Sequence, residues 1–148
     1  MDGISAGTRP TAVRSFLDTN VLVYADAGDE PARQARALEL IAEHRRQGTG
    51  VLSTQVLQEY ANVALRKLGL PVPLVRERLA FYARFEVVAA TPALIAGALD
   101  LHALRGFSFY DALIVQAAIT GGCAQLLTED MQTGAVAGGV YIVNPFPR

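Results

Sequence analysis

Short apolar runs alternate along the chain with longer segments in which apolar residues recur at a helical period. The runs predict five strands, at residues 14–18, 50–53, 86–89, 125–128 and 140–143. The segments between them predict six helices, at residues 21–25, 32–47, 55–68, 74–85, 92–104 and 109–120. Such alternation is typical of a mostly parallel sheet covered by helices on both faces. The predicted fold is therefore α/β, with three layers in the order α/β/α.

Two details of the helices follow from the same pattern. We expect Thr19 or Asn20 to cap the first helix, because their side-chain oxygens can accept hydrogen bonds from unpaired N–H groups of the first turn. The second helix is expected to bury one apolar face. That face consists of Ala35, Leu38, Ile41 and Ala42.

Composition narrows the class of protein. The chain has 148 residues, 51% of them hydrophobic, which is enough to bury a core. Residues 1–13 are expected to form a flexible tail, and residues 14–148 a single domain. We find neither a run of about 18 apolar residues that would span a membrane nor the apolar region of a secretory signal. The single cysteine, Cys123, fits a small core residue in a reducing compartment, so a cytoplasmic location is expected.

The charge does not indicate a basic nucleic-acid-binding module, because the net charge is −1. Six basic residues on the predicted helices could follow a nucleic-acid backbone or be ordinary solvated side chains, and we favour the second interpretation. They are Arg33, Arg36, Arg45, Arg46, Arg66 and Lys67.

Four carboxylates lie at or just beyond the end of a predicted strand, or near the start of a helix. They are Asp18, Glu59, Asp111 and Asp130. Each has a structural interpretation, as a helix or turn cap or as a solvated acid. However, the carboxyl ends of parallel strands meet at one edge of a sheet, and clustered carboxylates repel unless a cation lies between them. One site with oxygen ligands, suited to Mg²⁺ or Mn²⁺, would account for all four.

Other residues bear on this hypothesis. The helix that follows Asp111 is apolar on nearly every side, which is typical of a buried helix, so we expect Asp111 in the interior. A lone carboxylate there is costly unless it is paired or bound to a metal. His44 and His102 stand alone, without the spacing of a zinc site, and are expected to be structural or surface residues. The sequence contains no glycine-rich phosphate loop and no serine nucleophile motif.

Four stretches resemble the successive motifs of PIN-domain nucleases, and especially of VapC-type ribonuclease toxins of bacterial type II toxin–antitoxin pairs. They are FLDTNVL at 16–22, QEYANVA at 58–64, FYDALIVQAA at 109–118 and LLTED at 126–130. The resemblance covers about residues 15–145. It implies a PIN-like fold, RNA cleavage that depends on Mg²⁺ or Mn²⁺, a homodimer, and neutralisation by a cognate antitoxin protein.

The resemblance also assigns roles to residues. The catalytic acids and metal ligands would be Asp18, Glu59, Asp111 and Asp130. Three polar neighbours would orient the ligands or water: Thr19, Asn20 and Thr128. The last motif holds two adjacent acids, and either Glu129 or Asp130 could face the metal; we favour Asp130.

The mechanism implied is metal-assisted hydrolysis of an RNA phosphodiester, with Glu59 either a further ligand or a base for the attacking water. Two alternatives stay open. One is a phosphatase in which Asp18 is the nucleophile, which is disfavoured because residue 20 is Asn rather than a second Asp and no positioned lysine is evident. The other is a non-catalytic PIN-like module that binds RNA or a protein.

Overall fold

The computed structural model describes residues 13–147. Within that range the chain forms six strands and six helices. The strands are β1 (Ser15–Leu17), β2 (Gly50–Ser53), β3 (Glu86–Val88), β4 (Gln125–Leu127), β5 (Val136–Ala137) and β6 (Val140–Val143). The helices are α1 (Thr19–Ala25), α2 (Pro31–Gln47), α3 (Thr54–Arg66), α4 (Val72–Tyr82), α5 (Pro92–Arg105) and α6 (Phe109–Thr120). The expected N-terminal tail lies outside the described residues, apart from Val13.

The strands form one sheet in the order β3-β2-β1-β4-β6-β5. Neighbouring strands are parallel except for β5 and β6. The chain proceeds from β1 outward to β2 and β3, and then returns to the other side of β1 as β4. Because crossovers between parallel strands are right-handed, this reversal places α1 to α4 on one face and α5 and α6 on the other. The predicted three-layer α/β/α fold is confirmed.

The sheet has one strand more than the sequence predicted. β5 runs antiparallel to β6, with Val136 opposite Tyr141. The two strands are joined by Gly138 at φ +56° and Gly139 at φ +81°, and positive φ at both positions is the geometry that two-residue hairpins favour. The glycine pair is a local signal for this hairpin. A strand of two residues is nevertheless too short to show an alternating pattern.

Two of the inner strands, β1 and β2, lie in the core along their whole length. Every residue of β1 and β2 is buried, as are Leu126 and Leu127 of β4. Cys123 is buried beside them, and burial raises the pKa of its thiol to about 11, so the cysteine is a core residue as predicted. In residues 13–147, none of the helices combines the length and apolar composition needed to cross a bilayer.

The predicted buried face of α2 is wrong for three of its four residues, and Ile41 alone is buried as predicted. The residues of α2 that are buried are Ala37, Leu40, Ile41 and His44. Leu38 is 50% exposed, and Ala35 and Ala42 are also exposed. Small apolar residues occur on several sides of this helix, and the packing of α2 against α1 and β2 decides which side is buried. His44 is structural, as expected, because its Nδ1 lies 2.8 Å from Thr49 Oγ1.

α6 ends against β2, where Gly121 lies beneath two valine side chains. A Cβ at Gly121 would lie 2.9 Å from Val51 Cγ1 and 3.3 Å from Val88 Cγ2. Its φ of −76° is open to any residue, so the close contact alone selects glycine. We expect Gly121→Ala to lower the free energy of unfolding by about 1–3 kcal/mol, the usual cost of overpacking a core, as measured by urea denaturation.

Gly28→Ala is the matched control. A Cβ at Gly28 would meet no atom within 4 Å, so this variant should change the free energy of unfolding by less than about 0.5 kcal/mol. If both variants unfold at the same urea concentration, the valines give way without cost and the packing explanation is wrong.

Candidate active site

The site begins where β1 and β4 end side by side. The two strands are parallel, with Leu17 paired to Leu127, so the next residues, Asp18 and Thr128, emerge together. The backbone N–H of Asp18 continues the ladder by donating to Leu127 O at 3.1 Å. This is also the point at which the strand order reverses, and in open α/β sheets ligands bind outside the carboxyl ends of the strands at such a point.

Asp18 is held from both sides. Its Oδ1 accepts a hydrogen bond from the backbone N–H of Thr19 at 2.7 Å, and its Oδ2 accepts one from Thr128 Oγ1 at 2.7 Å. Asp18 itself is the N-cap of α1, so the prediction that Thr19 or Asn20 caps this helix is wrong. The helix starts earlier than predicted, because the chain turns immediately after β1 and the carboxylate accepts the first unpaired N–H.

The surroundings of Asp18 disfavour its charge. The residue is 6% exposed, and burial raises the pKa of its carboxyl from 3.8 to about 6. The hydrogen bonds from Thr128 and Thr19 act in the opposite direction, while the negative charges of Asp130 and Glu59 add to the rise. Asp18 is therefore a desolvated carboxylate with two other acids near enough to affect its protonation.

Glu59 reaches the same place from α3. Thr19 Oγ1 donates to Glu59 Oε1 at 2.7 Å, so Thr19 contacts both Asp18 and Glu59. Gln55 Nε2 donates to Glu59 Oε2 at 3.1 Å. The role of Gln55 was missed from the sequence, although its spacing of four residues from Glu59 on one helix is a signal for such a pair.

Asn20 connects the β1 end of the site to Asp130. Its Nδ2 donates to Asp130 Oδ2 at 3.1 Å and lies 3.4 Å from Thr128 Oγ1. Thr128 Oγ1 also accepts the backbone N–H of Asp130 at 3.1 Å. The Oδ1 of Asn20 is buried and has no hydrogen-bond partner among residues 13–147. Asp18, Glu59 and Asp130 thus belong to one network of hydrogen bonds.

Glu129 points to different partners from its neighbour Asp130. It accepts hydrogen bonds from Tyr24 Oη and from Arg33 Nε, the latter at 2.8 Å. Burial acts to raise the pKa of the Glu129 carboxyl, but the hydrogen bonds and the charge of Arg33 hold it below its usual value. Burial and Glu129 together raise the pKa of Tyr24 to about 12, so its hydroxyl remains a donor. Arg33 was expected to be merely solvated, which is wrong; no local pattern links these three residues.

Asp111 lies in the first turn of α6. Its N–H donates to Ser108 Oγ at 3.2 Å, as the capping pattern predicted, and Gln55 Nε2 lies 3.5 Å from the preceding carbonyl, Tyr110 O. The Asp111 carboxylate makes no hydrogen bond or ion pair within the described residues. Asp111 is half-buried rather than interior, since the buried side chains of α6 begin at Ala112.

The residues present suit a divalent cation, although they do not form a finished cage. In residues 13–147, no three His, Cys, Asp or Glu side chains form a group that could hold a metal ion. Instead, hydroxyl and amide donors separate the carboxylates, which would otherwise repel. The desolvated Asp18 carboxylate and the unpartnered Asn20 Oδ1 are nevertheless oxygen ligands of the kind that Mg²⁺ and Mn²⁺ prefer. By its chemistry, this set of oxygen ligands fits such an ion.

Comparison with known proteins identifies the family. The PIN-domain family profile matches residues 15–138, which include all four acids. The chain belongs to the PIN-domain family. None of the curated proteins matches this sequence.

Solved structures with the same PIN fold include toxins and toxin–antitoxin complexes. A toxin–antitoxin complex from Klebsiella pneumoniae contains a chain that superposes with a TM-score of 0.68 at 17% identity, covering 89% of this chain and 98% of that one. VapC20 of Mycobacterium tuberculosis is described as a toxin that cleaves the sarcin–ricin loop. It superposes with a TM-score of 0.63 at 22% identity, covering 78% of this chain and 91% of VapC20. A chain of VapBC2 of Rickettsia felis, bound to promoter DNA, superposes with a TM-score of 0.57 at 22% identity, covering 78% of this chain and 87% of that one. These likenesses confirm the fold.

The raised pKa of Asp18 predicts a pH dependence of stability in EDTA. Between about pH 4 and pH 6 the folded chain keeps the Asp18 proton, whereas the unfolded chain, with a pKa near 3.8, releases it. The contribution of Asp18 to stability therefore falls as the pH rises through this window. We expect Asp18→Asn to raise the free energy of unfolding at pH 7.5 by roughly 1–3 kcal/mol, and the gain to shrink below about pH 4.

Urea denaturation at several pH values measures this difference. Asp100→Asn, which alters an exposed acid on α5, should change the free energy of unfolding at pH 7.5 by less than about 0.5 kcal/mol. If Asp18→Asn is less stable than wild type at pH 7.5, burial of the charged Asp18 carboxylate does not destabilise the folded protein and the prediction is wrong.

Proposed function

We propose that this chain is a metal-dependent endoribonuclease and the toxin of a toxin–antitoxin pair. The observation that carries the proposal is the buried carboxylate of Asp18 at the switch point of the sheet. Hydrogen bonds connect it through Thr19 to Glu59, and through Thr128 and Asn20 to Asp130. A desolvated carboxylate beside two others is costly for folding. Such a cluster is typical of a site kept for its chemistry.

The proposed ligands are the carboxylates of Asp18, Asp111 and Asp130, with Glu59 as a further ligand or as a base. A bound Mg²⁺ or Mn²⁺ supplies a Lewis acid that stabilises negative charge on the phosphate and lowers the pKa of water. Asp130 is preferred to Glu129 as the fourth acid, because Glu129 is engaged by Arg33.

Side chains of the chain prepare this site for the substrate. Thr128 and the N–H of Thr19 fix both oxygens of Asp18, so its carboxylate cannot rotate freely. Glu59 is held by Thr19 and Gln55 and is half-exposed, which suits a group that accepts a proton from the attacking water. In this hydrolysis the water oxygen bonds to phosphorus, the bond to the leaving ribose oxygen breaks, and that oxygen takes a proton from solvent.

The biological role is proposed from the similar structures. Three of them are a VapC toxin and two toxin–antitoxin complexes, which supports a cognate antitoxin as the partner of this chain. We further propose that the protein acts on RNA in the cytoplasm and that it does so as a homodimer.

Cleavage assays test the nuclease directly. Wild type should cleave RNA in Mg²⁺ or Mn²⁺ and lose activity in excess EDTA. Asp18→Asn and Asp111→Asn should each lower the rate by more than about 100-fold, because each removes a charged ligand. Product formation from a labelled RNA is the measurement.

The exposed acid Asp100 on α5 again provides the control, and Asp100→Asn should cleave within about two-fold of wild type. Full activity of Asp111→Asn, or of wild type in EDTA, would rule out the metal-nuclease proposal. Acid-labile phosphate trapped on Asp18 would instead favour the phosphatase.

Growth assays test the toxin role. Expression of wild type should arrest bacterial growth, and Asp18→Asn at the same protein level should not. Co-expression of the small protein encoded immediately upstream should restore growth if it is the antitoxin. Growth arrest by Asp18→Asn as strong as that of wild type would show that toxicity does not come from RNA cleavage.

A further inference from the structure

We propose that Arg33 and Tyr24, acting through Glu129, position Asp130 for metal binding. We call these three residues the Glu129 clamp. This inference rests on the proposed function, because it concerns the fourth acid of the proposed metal site. It assigns a role to two residues, on α1 and α2, that lie outside every motif noted in the sequence.

The contacts of the clamp are directional. Arg33 Nε donates to Glu129 Oε2 at 2.8 Å, and Tyr24 Oη donates to the other oxygen, Oε1. Both oxygens of Glu129 are therefore used, and the side chain has little freedom to turn. Arg33 is itself restrained, since its guanidinium lies 5.7 Å from the centre of the Tyr24 ring and 3.5 Å from Glu30.

The clamp fixes the segment that carries Asp130. Glu129 and Asp130 are adjacent, so a fixed Glu129 side chain limits how the Asp130 backbone can rotate. Asp130 is exposed, and within residues 13–147 its carboxylate accepts a single hydrogen bond, from Asn20 Nδ2 at 3.1 Å. Without the clamp, an exposed carboxylate with one partner would sample several rotamers.

One face of α1 contacts both acids. Asn20 and Tyr24 are four residues apart on α1, so they lie on the same side of the helix. Asn20 binds Asp130, and Tyr24 binds Glu129. Because Asp18 caps the same helix, the clamp links the position of Asp130 to that of Asp18 through α1.

Whether removal of Arg33 tightens or weakens cation binding distinguishes a positioning role of this residue from a purely electrostatic one. Arg33 is positive, and removing a positive charge near a cation site tightens cation binding by Coulomb's law. If Arg33 instead acts by orienting Asp130, its removal weakens cation binding, because the loss of a partner that orients a ligand usually costs 10–100-fold in affinity. The two explanations therefore predict opposite changes.

The test measures Mn²⁺ affinity of the full chain by titration calorimetry. We expect Arg33→Met to weaken Mn²⁺ binding by about 10-fold and Arg33→Lys to restore part of the loss. Tyr24→Phe removes only the hydroxyl donor, without changing charge, and should weaken binding about three-fold. It also keeps the edge contact of its ring with Phe146 at 5.0 Å, so it serves if Arg33→Met does not fold.

Two matched controls alter the same residue types away from the clamp. Arg36→Met removes an arginine of α2 whose Nε donates to Pro145 O, and Tyr141→Phe removes the hydroxyl of an exposed tyrosine on β6. Both should bind Mn²⁺ within about two-fold of wild type. In an Asp130→Asn background, Arg33→Met should cause no further loss, because its effect is transmitted through Asp130.

Distinct results overturn the positioning role. Equal or tighter Mn²⁺ binding by Arg33→Met and Tyr24→Phe excludes it, and so does a loss that persists in the Asp130→Asn background. A raised KM for RNA with unchanged Mn²⁺ affinity would make Arg33 a substrate contact instead. If wild type neither binds Mn²⁺ nor cleaves RNA, both the proposed function and the positioning role are wrong. If wild type does both, the results from the variants test the Glu129 clamp alone.

Discussion

The parallel pairing of β1 with β4 is the constraint on which the site depends. Because Leu17 and Leu127 are paired, Asp18 and Thr128 leave the sheet side by side, and Thr128 Oγ1 can donate to Asp18 Oδ2 at 2.7 Å. That bond and the helix N-terminus of α1 partly offset the cost of burying a carboxylate. A shift of register by one residue would turn Thr128 to the other face of the sheet and leave Asp18 without this donor.

The short helix α1 transmits this constraint to the other acids. Its seven residues contact two later parts of the chain. Thr19 binds Glu59 of α3, while Asn20 and Tyr24 bind the adjacent residues Asp130 and Glu129. A helix of this length is not stable alone in water, so it exists because it packs against α2 and α3. The site therefore forms only when the sheet and the helices around it have assembled.

Much of the fold and part of the site could be predicted from local patterns. Strand runs and helix periods predicted the elements and the α/β class, since these depend on contacts within a few residues. The buried side of α2 was not predicted, because neighbouring elements decide which of several small apolar faces is covered. The strand β5 was not predicted either, because two residues are too few to show an alternating pattern. The prediction that Asp111 lies in the interior is also wrong, since the buried side chains of α6 begin one residue later, at Ala112.

The sequence by itself determined that Asp18 follows a buried strand and that Glu59, Asp111 and Asp130 occupy comparable positions, because alternation and helix starts are local properties. Only the tertiary structure decided how these acids are arranged. It joined Asp18, Glu59 and Asp130 in one network, left the Asp111 carboxylate outside it, and turned Glu129 towards Arg33, 96 residues away along the chain. Contacts across such separations depend on where whole helices and strands pack, which no local pattern specifies.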